Sequence, residues 1–345
     1  MTSSPLSFAI VGTGMVARYH AEAIAQTPGA KLIAVCRSDA AGAQQAAEQF
    51  GVPCETNYEA LLARPDVDVV CICTPSGMHA AQTIQAAQAG KHVLVEKPMA
   101  LTLADADAMI RACYDANVQL GVVLQRRTDP TFSMVRASIT AHELGEMVLG
   151  SVNVPYVRPQ TYYDSAAWRG TWALDGGGAL MNQGIHLVDL LLWYMGDVAE
   201  VHANFTTRAR NIEVEDCVTA TLRFASGALG SMVATTAAEP GFPHRVEVYG
   251  TAGGVQIEGE TVVRWNGGGS HRAATTTMSG SADAGAGGSP TGISAVGHTN
   301  IVMDFVDAIG SGCAPLVPGA EGRRSLALVL AIYEAARSGQ AVCPA

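Results

Sequence analysis

The chain has 345 residues, 48% of them hydrophobic and 15% charged, with 37 glycines and a formal net charge of -10. This composition is globular rather than disordered, and its acidity argues against a nucleic-acid partner, because binding a phosphate backbone relies on excess Lys and Arg. The length exceeds what one core usually supports, so two domains are expected. No apolar run approaches the roughly 20 residues that span a bilayer, and Met1 to Phe8 lack the features of a signal peptide; a cytoplasmic protein without a membrane partner is expected.

Through residue 124, apolar strand-like runs alternate with alanine-rich helical stretches, the pattern of parallel strands joined by crossover helices. Strands are predicted at Leu6 to Val11, Leu32 to Cys36, Val67 to Thr74, His92 to Glu96 and Val118 to Leu124, with a short one near Cys54. The fold class is therefore α/β, beginning with a doubly wound parallel sheet. Cys36, Cys71 and Cys73 fall in buried strands and the eight cysteines are expected to be reduced. No second pair or His cluster near Cys71 and Cys73 in the sequence completes a tetrahedral site, so no metal is expected.

Gly12-Thr13-Gly14-Met15-Val16-Ala17 follows the first strand and opens a helix, matching the G-x-G-x-x-G/A dinucleotide fingerprint. Gly12 allows the tight turn, Gly14 lets a pyrophosphate approach, and Ala17 keeps helix and strand close. At the end of the second strand, where NAD-binding chains usually carry an acid, Arg37 and Ser38 offer a cation and a hydroxyl. That favours NADP slightly over NAD, with Asp39 able to rescue NAD. The fourth long strand runs into Glu96-Lys97-Pro98, which places Lys97 at the strand end where ligands bind in such sheets. The proline behind it restricts its backbone.

From residue 125 to 345 the pattern becomes alternating strands with short connections: Ser151 to Val157, Val201 to Thr207, Cys217 to Phe224 and Gly230 to Thr236. Helices are predicted at Gly184 to Met195 and Gly322 to Ser338. A second α+β domain with a mostly antiparallel open sheet is expected, interrupted by a mobile loop over 266–297, where large apolar side chains are scarce. Asn182, His186, Asp189 and Trp193 recur at spacings of four, three and four on one helical face. A polar stripe on an apolar helix needs partners or a purpose, so His186 is the candidate general acid/base and Asp189 its orienting neighbour; a core histidine bonded by Asp189 is the alternative.

With Gly12-x-Gly14, Thr74-Pro75-Ser76 and Glu96-Lys97-Pro98 in order, nearly the whole chain resembles the Gfo/Idh/MocA family of NAD(P)-dependent sugar and polyol oxidoreductases. The resemblance implies that Lys97 contacts both the nicotinamide end and the substrate hydroxyl. It also implies that Thr74, Pro75, Ser76 and His79 line the cofactor cleft with Glu96, although helix-terminus packing is an alternative for His79. Many members carry an aspartate where this chain has Asn182. An amide takes no proton at neutral pH, so Asn182 would orient substrate, as in a subgroup acting on nucleotide-sugar acids with a similar Met-Asn-Gln-Gly-Ile-His run.

Gln125, Arg127, Arg158, Tyr163, Trp168 and Arg169 are the candidate substrate groups, their guanidinium forks suited to a carboxylate or phosphate. Ion pairs to Asp129, Asp164 or Asp175 are the structural alternative. The reading is a hydride transfer between nicotinamide and a carbinol carbon of a sugar, polyol, sugar acid or nucleotide sugar. A redox-neutral nicotinamide-dependent glycoside hydrolase and a cofactor or sugar sensor are its rivals. A homo-oligomer, dimer or tetramer, built on the open sheet is expected.

Overall fold

The computed structural model describes residues 4–267 and 295–345. Two compact units emerge: Met1–Gln125 with Ala295–Arg323, and Arg126–Ser294 with Arg324–Ala345. The first is therefore not closed by a single cut near residue 124, because the chain returns to it after the second sheet. Most of the loop expected at 266–297 lies outside the described residues, while Asn266 closes a strand and Val296 and Gly297 open a helix.

The first unit runs β1 (Leu6–Val11), α1 (Met15–Gln26), β2 (Ala30–Cys36), α2 (Ala43–Phe50), β3 (Cys54–Glu55), α3 (Tyr58–Leu62), β4 (Val69–Ile72), α4 (His79–Gln88), β5 (His92–Val95), α5 (Leu103–Asp115) and β6 (Leu120–Val122). The strands stand in the order β3-β2-β1-β4-β5-β6, and every pairing is parallel. Helices cover both faces of a parallel sheet, so its central strands are apolar throughout, and Val69 to Ile72 are fully buried. The strand order reverses between β1 and β4, placing their carboxyl ends at the switch point where such sheets bind ligands. Thr102 caps α5 by accepting the Asp105 N–H, a hydrogen bond that defines where the helix begins.

The second unit contains α6 (Pro130–Thr140), β7 (Met147–Pro155), α7 (Gln160–Asp164), α8 (Ile185–Met195), β8 (Val198–Thr206), β9 (Cys217–Phe224), β10 (Leu229–Thr235), β11 (Arg245–Gly250), β12 (Gly253–Glu258) and β13 (Thr261–Asn266). Its sheet order is β13-β12-β11-β7-β10-β9-β8, antiparallel except for the β7–β10 pair. Here the burial alternates: Val218, Ala220, Leu222 and Phe224 point inward from β9, and Thr219, Thr221 and Arg223 outward. Helix α8 packs so closely on β7 that a Cβ on Gly150 would lie 2.7 Å from the Met195 side chain. Two further helices, α9 (Val296–Ser311) and α10 (Gly319–Ser338), follow; the first residues of α10 group with the first unit.

All eight cysteines are free thiols. Among the described residues, no helix is long and apolar enough to cross a membrane.

Candidate active site

In the first unit the chain leaves β1 through Gly12, whose φ is +90°, and a Cβ there would sit 2.7 Å from the Cys73 carbonyl oxygen. Only glycine fits such a position. Gly14 caps α1 without any side-chain hydrogen bond, and a Cβ on it would meet nothing within 4 Å. The turn formed by Thr13, Gly14, Met15 and Val16 thus presents the first N–H groups of α1 at an uncrowded helix terminus, which fits a dinucleotide pyrophosphate.

Beyond β2, Arg37 donates to Asp39 Oδ2 at 2.8 Å and to the Gly42 carbonyl at 3.2 Å, with Ser38 exposed beside them. The cation that the sequence offered to a phosphate is held by the neighbouring carboxylate. After β4, Thr74 donates to Gln82 at 2.6 Å, and Pro75 leads into a short turn holding the buried Ser76. His79 lies at the start of α4 with Nε2 2.8 Å from the Thr74 carbonyl and Nδ1 2.8 Å from that of Pro98. It is fully buried, so instead of lining the cleft through its side chain it joins the loop after β4 to the turn after β5. Burial pushes its imidazole below the usual range, against the pull of the two carbonyls.

That second turn carries Glu96, Lys97 and a cis Lys97–Pro98 bond. Lys97 is half-buried, whereas Glu96 is buried and meets His20 from α1 and His298 from α9. Neither histidine was singled out by sequence as a partner of Glu96, because the three positions are scattered along the chain.

In the second unit a buried carboxylate shapes the glycine run. Glu215 accepts the N–H groups of Gly178 and Leu180, each at 2.8 Å, and the Tyr333 hydroxyl at 2.8 Å. A Cβ on Gly178 would fall 1.8 Å from the Glu215 carbonyl oxygen, which accounts for glycine there. The chain then makes a wide π-helical turn over Ala179–Gly184 before α8, so Asn182 stands on that turn and not on a regular α-helix. Over residues 179–195, Asn182, His186 and Trp193 alone escape full burial. The polar stripe predicted from spacing is the open face of an otherwise enclosed segment.

Its fourth member turns inward. Asp189 is buried and receives a two-pronged hydrogen bond from Arg127 at 2.7 and 2.8 Å, plus the Ser325 hydroxyl at 2.9 Å. Arg127 is thereby a structural cation and not the substrate group expected. Arg158 is likewise buried, donating to the Val157 carbonyl with its guanidinium near the Tyr156 and Tyr162 rings. Tyr163 is buried with its hydroxyl on Thr236 at 2.9 Å, while Gln125 packs under Gly297. Trp168 and Arg169 are, like Gln125, half-buried, and the Arg169 guanidinium lies 4.5 Å from the indole centroid.

Tyr162, whose stretch with Tyr163 the sequence places at the cleft rim, and Gln183, to which it assigns no role, complete this group. Arg169 lies 4.2 Å above the Tyr162 ring and donates to its hydroxyl at 2.5 Å, and Gln183 reaches the same oxygen at 3.5 Å. Burial pushes the Tyr162 hydroxyl up, so it keeps its proton for donation. Gln183 Oε1 and Arg169 Nε are buried without a hydrogen-bond partner in the structure. Asp175 was also missed as a site residue: it takes the Asn182 amide at 2.7 Å and the Gly170 N–H at 2.9 Å, and so orients Asn182.

Residues 6–124 match the family model described as an oxidoreductase family with an NAD-binding Rossmann fold, and residues 132–256 match the Gfo/Idh/MocA C-terminal domain. The chain belongs to the Gfo/Idh/MocA family. It is 35% identical to the WlbA dehydrogenase of Bordetella pertussis, solved in complex with NADH and UDP-GlcNAcA, with a TM-score of 0.88 and 98% of each chain covered. It is 30% identical over 350 residues to 1,5-anhydro-D-fructose reductase of Ensifer adhaerens, covering 96% of both. Inositol 2-dehydrogenase of Rhizobium meliloti is 29% identical over 261 residues, 74% of this chain and 76% of that one. As a Gfo/Idh/MocA enzyme, the protein is an NAD-dependent oxidoreductase acting on the CH–OH groups of sugars or polyols.

Proposed function

We propose that the substrate is an anionic nucleotide sugar, oxidised at a carbinol carbon of a sugar acid. The observation that carries this reading is the group around Tyr162, where a guanidinium stacked between two aromatic rings adjoins an unpartnered amide oxygen. Such a group matches a sugar that offers both negative charge and hydroxyl donors. The solved relative bound to UDP-GlcNAcA supports the same substrate class.

Nicotinamide, when bound, supplies the hydride acceptor. Lys97 steadies the developing charge on the substrate oxygen, and His186 takes the hydroxyl proton. Asn182, held by Asp175, orients the sugar by hydrogen bonds and cannot itself serve as base. Because Asp39 neutralises Arg37 and would repel a 2′-phosphate, the proposed cofactor is NAD rather than NADP.

The open sheet supports an oligomer. Val148, Leu149 and Leu229 are exposed large apolar residues on or beside its outward face, and a second copy of the chain would cover them.

The test follows reduced-nicotinamide absorbance as purified protein meets NAD or NADP with UDP-GlcNAcA, neutral sugars, inositols and free sugar acids. Net NAD reduction with the anionic nucleotide sugar is the expected result. Reduction with inositols or neutral sugars alone would overturn the substrate class. Cofactor binding without net reduction on any substrate would favour the redox-neutral hydrolase or the sensor.

A further inference from the structure

Glu96 is held from three directions within the first unit. Its Oε1 lies 2.9 Å from His20 Nε2 and 3.5 Å from His298 Nε2, and its Oε2 lies 3.3 Å from the Lys97 backbone nitrogen. The side chains of His20, His298 and Glu96 are only 1, 4 and 8% exposed. His20 and His298 meet edge to face at 5.3 Å, and Tyr19 stacks on His298 at 5.6 Å. A carboxylate this deep is costly unless hydrogen-bonded. Two imidazole donors and an amide donor supply the bonds.

We propose that His20 and His298 are positioning residues for Lys97, acting through the carboxylate of Glu96. The proposal rests on the reading of Lys97 as the group that steadies the substrate oxygen. Both imidazoles point Nε2 at one acceptor, and both Nδ1 atoms are buried without a partner. Burial indeed pushes His20 below the ordinary imidazole range against the pull of Glu96. Although burial alone would raise Glu96, its two histidine contacts outweigh that and hold it well below the usual carboxylate range.

The other titratable groups acting on this carboxylate carry no competing negative charge. Cys71 and Cys73 on β4 are buried and pushed up, so they stay as thiols, and His79 on α4 is buried and pushed down. The result is a fixed carboxylate that accepts the Lys97 backbone N–H and places a negative charge in the turn that carries the lysine. His20 rides on the helix that carries the dinucleotide turn and His298 on α9, where Thr299 also bonds Gln26 of α1 at 3.0 Å. The clamp therefore joins cofactor-turn helix, lysine strand and returning helix in one hydrogen-bonded unit.

Lys31, Lys91 and Lys97 are the three lysines of the sequence. Full-length protein carrying carbon-13 at lysine Cε therefore gives three resonances, and Lys97→Arg assigns the relevant one. Glu96→Gln should lower the Lys97 titration midpoint by about one unit, the size of a lost neighbouring charge. His20→Leu and His298→Leu should lower it in the same direction. His20→Gln and His298→Gln, which still offer an N–H to Glu96, should keep it near wild type. With NAD and UDP-GlcNAcA as probes, the leucine variants should lose about tenfold in kcat with KM for NAD changed less than about threefold.

If the leucine variants do not fold, Glu96→Gln against the two glutamine variants decides. An unmoved Lys97 titration in folded Glu96→Gln would overturn the proposal, as would glutamine variants that behave like Glu96→Gln. A stoichiometric divalent metal in purified protein, lost on replacing either histidine, would overturn it in favour of a metal site. A shifted Lys97 titration in protein that reduces no nicotinamide would support the clamp while defeating the functional reading.

Discussion

Arg127 grips Asp189 through two parallel hydrogen bonds, and both side chains are almost wholly removed from solvent, at 4 and 1% exposure. A buried pair of this kind is not strongly stabilising against an apolar replacement, but breaking it strands a charge. Asp189→Ala should therefore cost about 3–5 kcal/mol in denaturant unfolding. The double replacement Arg127→Met with Asp189→Leu should recover most of that loss. Similar losses in the single and double variants would show that the pair does more than neutralise itself.

The two glycines of the dinucleotide turn should respond in opposite ways. Gly12→Ala combines a left-handed backbone, costing about 1–2 kcal/mol, with a methyl pressed onto the Cys73 carbonyl, so the protein itself should lose stability. Gly14→Ala meets no protein atom and has an ordinary φ of -74°, so its melting temperature should stay near wild type. Its NADH affinity, read by fluorescence titration, should nonetheless fall at least tenfold, because the methyl enters the space assigned to the pyrophosphate. Unchanged affinity in Gly14→Ala would move the cofactor away from this turn.

What the sequence revealed follows from how locally each feature is encoded. The parallel strands were legible as continuous apolar runs and Cys217–Phe224 was read to the residue from its alternation, whereas of the stripe Asn182, His186, Asp189 and Trp193 read from spacing, Asp189 turns inward to Arg127. The return of α9 to the first unit was not legible, since a helix does not declare which sheet it will cover. Tyr162 and Tyr163 read alike because they are adjacent, yet each helical residue turns about 100° and the two side chains part company. Arg127 and Arg158 looked like anion receptors because a guanidinium is usually exposed; their burial depends on Asp189 and on the Val157 carbonyl, which only the fold brings near. Strands β11 to β13 were missed where glycines at 250, 253 and 254 interrupt the apolar pattern.

Cofactor choice should turn on Asp39. Its carboxylate holds Arg37 at 2.8 Å and is itself 58% exposed. Asp39→Ala frees the guanidinium and removes a charge that repels a 2′-phosphate, so the kcat/KM ratio of NADP to NAD should rise by about tenfold, worth about 1.4 kcal/mol. A ratio that stays put would mean that neither residue reaches the adenosine ribose.

Acid should destabilise the protein through its buried imidazoles. Burial, aided by Arg126, keeps His244 neutral and well below its ordinary value of 6.5; burial also lowers His20, His79 and His92. The unfolded chain binds protons at these sites before the folded one does. Stability is therefore present above pH 6.5 and declines as pH falls toward the folded values. His244→Gln, which keeps a hydrogen-bonding side chain beside the Tyr156 hydroxyl, should flatten that decline by up to about 1.4 kcal/mol per pH unit. Denaturant unfolding between pH 5 and 7 reads the slope directly, and an identical slope in the variant would place the acid sensitivity elsewhere.

Lys97 and His186 should separate chemistry from binding. Each is half-buried where its surroundings are otherwise closed, Lys97 behind a turn braced by His79 and His186 on the open stripe of α8. General acid/base assistance contributes about 10²- to 10⁴-fold in rate. Lys97→Ala and His186→Ala should each lose turnover on that scale while still binding NADH, with any loss of affinity in Lys97→Ala far smaller than its loss of turnover, because neither belongs to the pyrophosphate turn. If the proposed roles hold, with Lys97 steadying the oxygen from which His186 takes the proton, the double variant should lose less than the product of the two, since groups serving one step are not additive. Strict multiplicativity would instead assign them to separate steps, and a near-normal rate in either single variant would remove that residue from the chemistry.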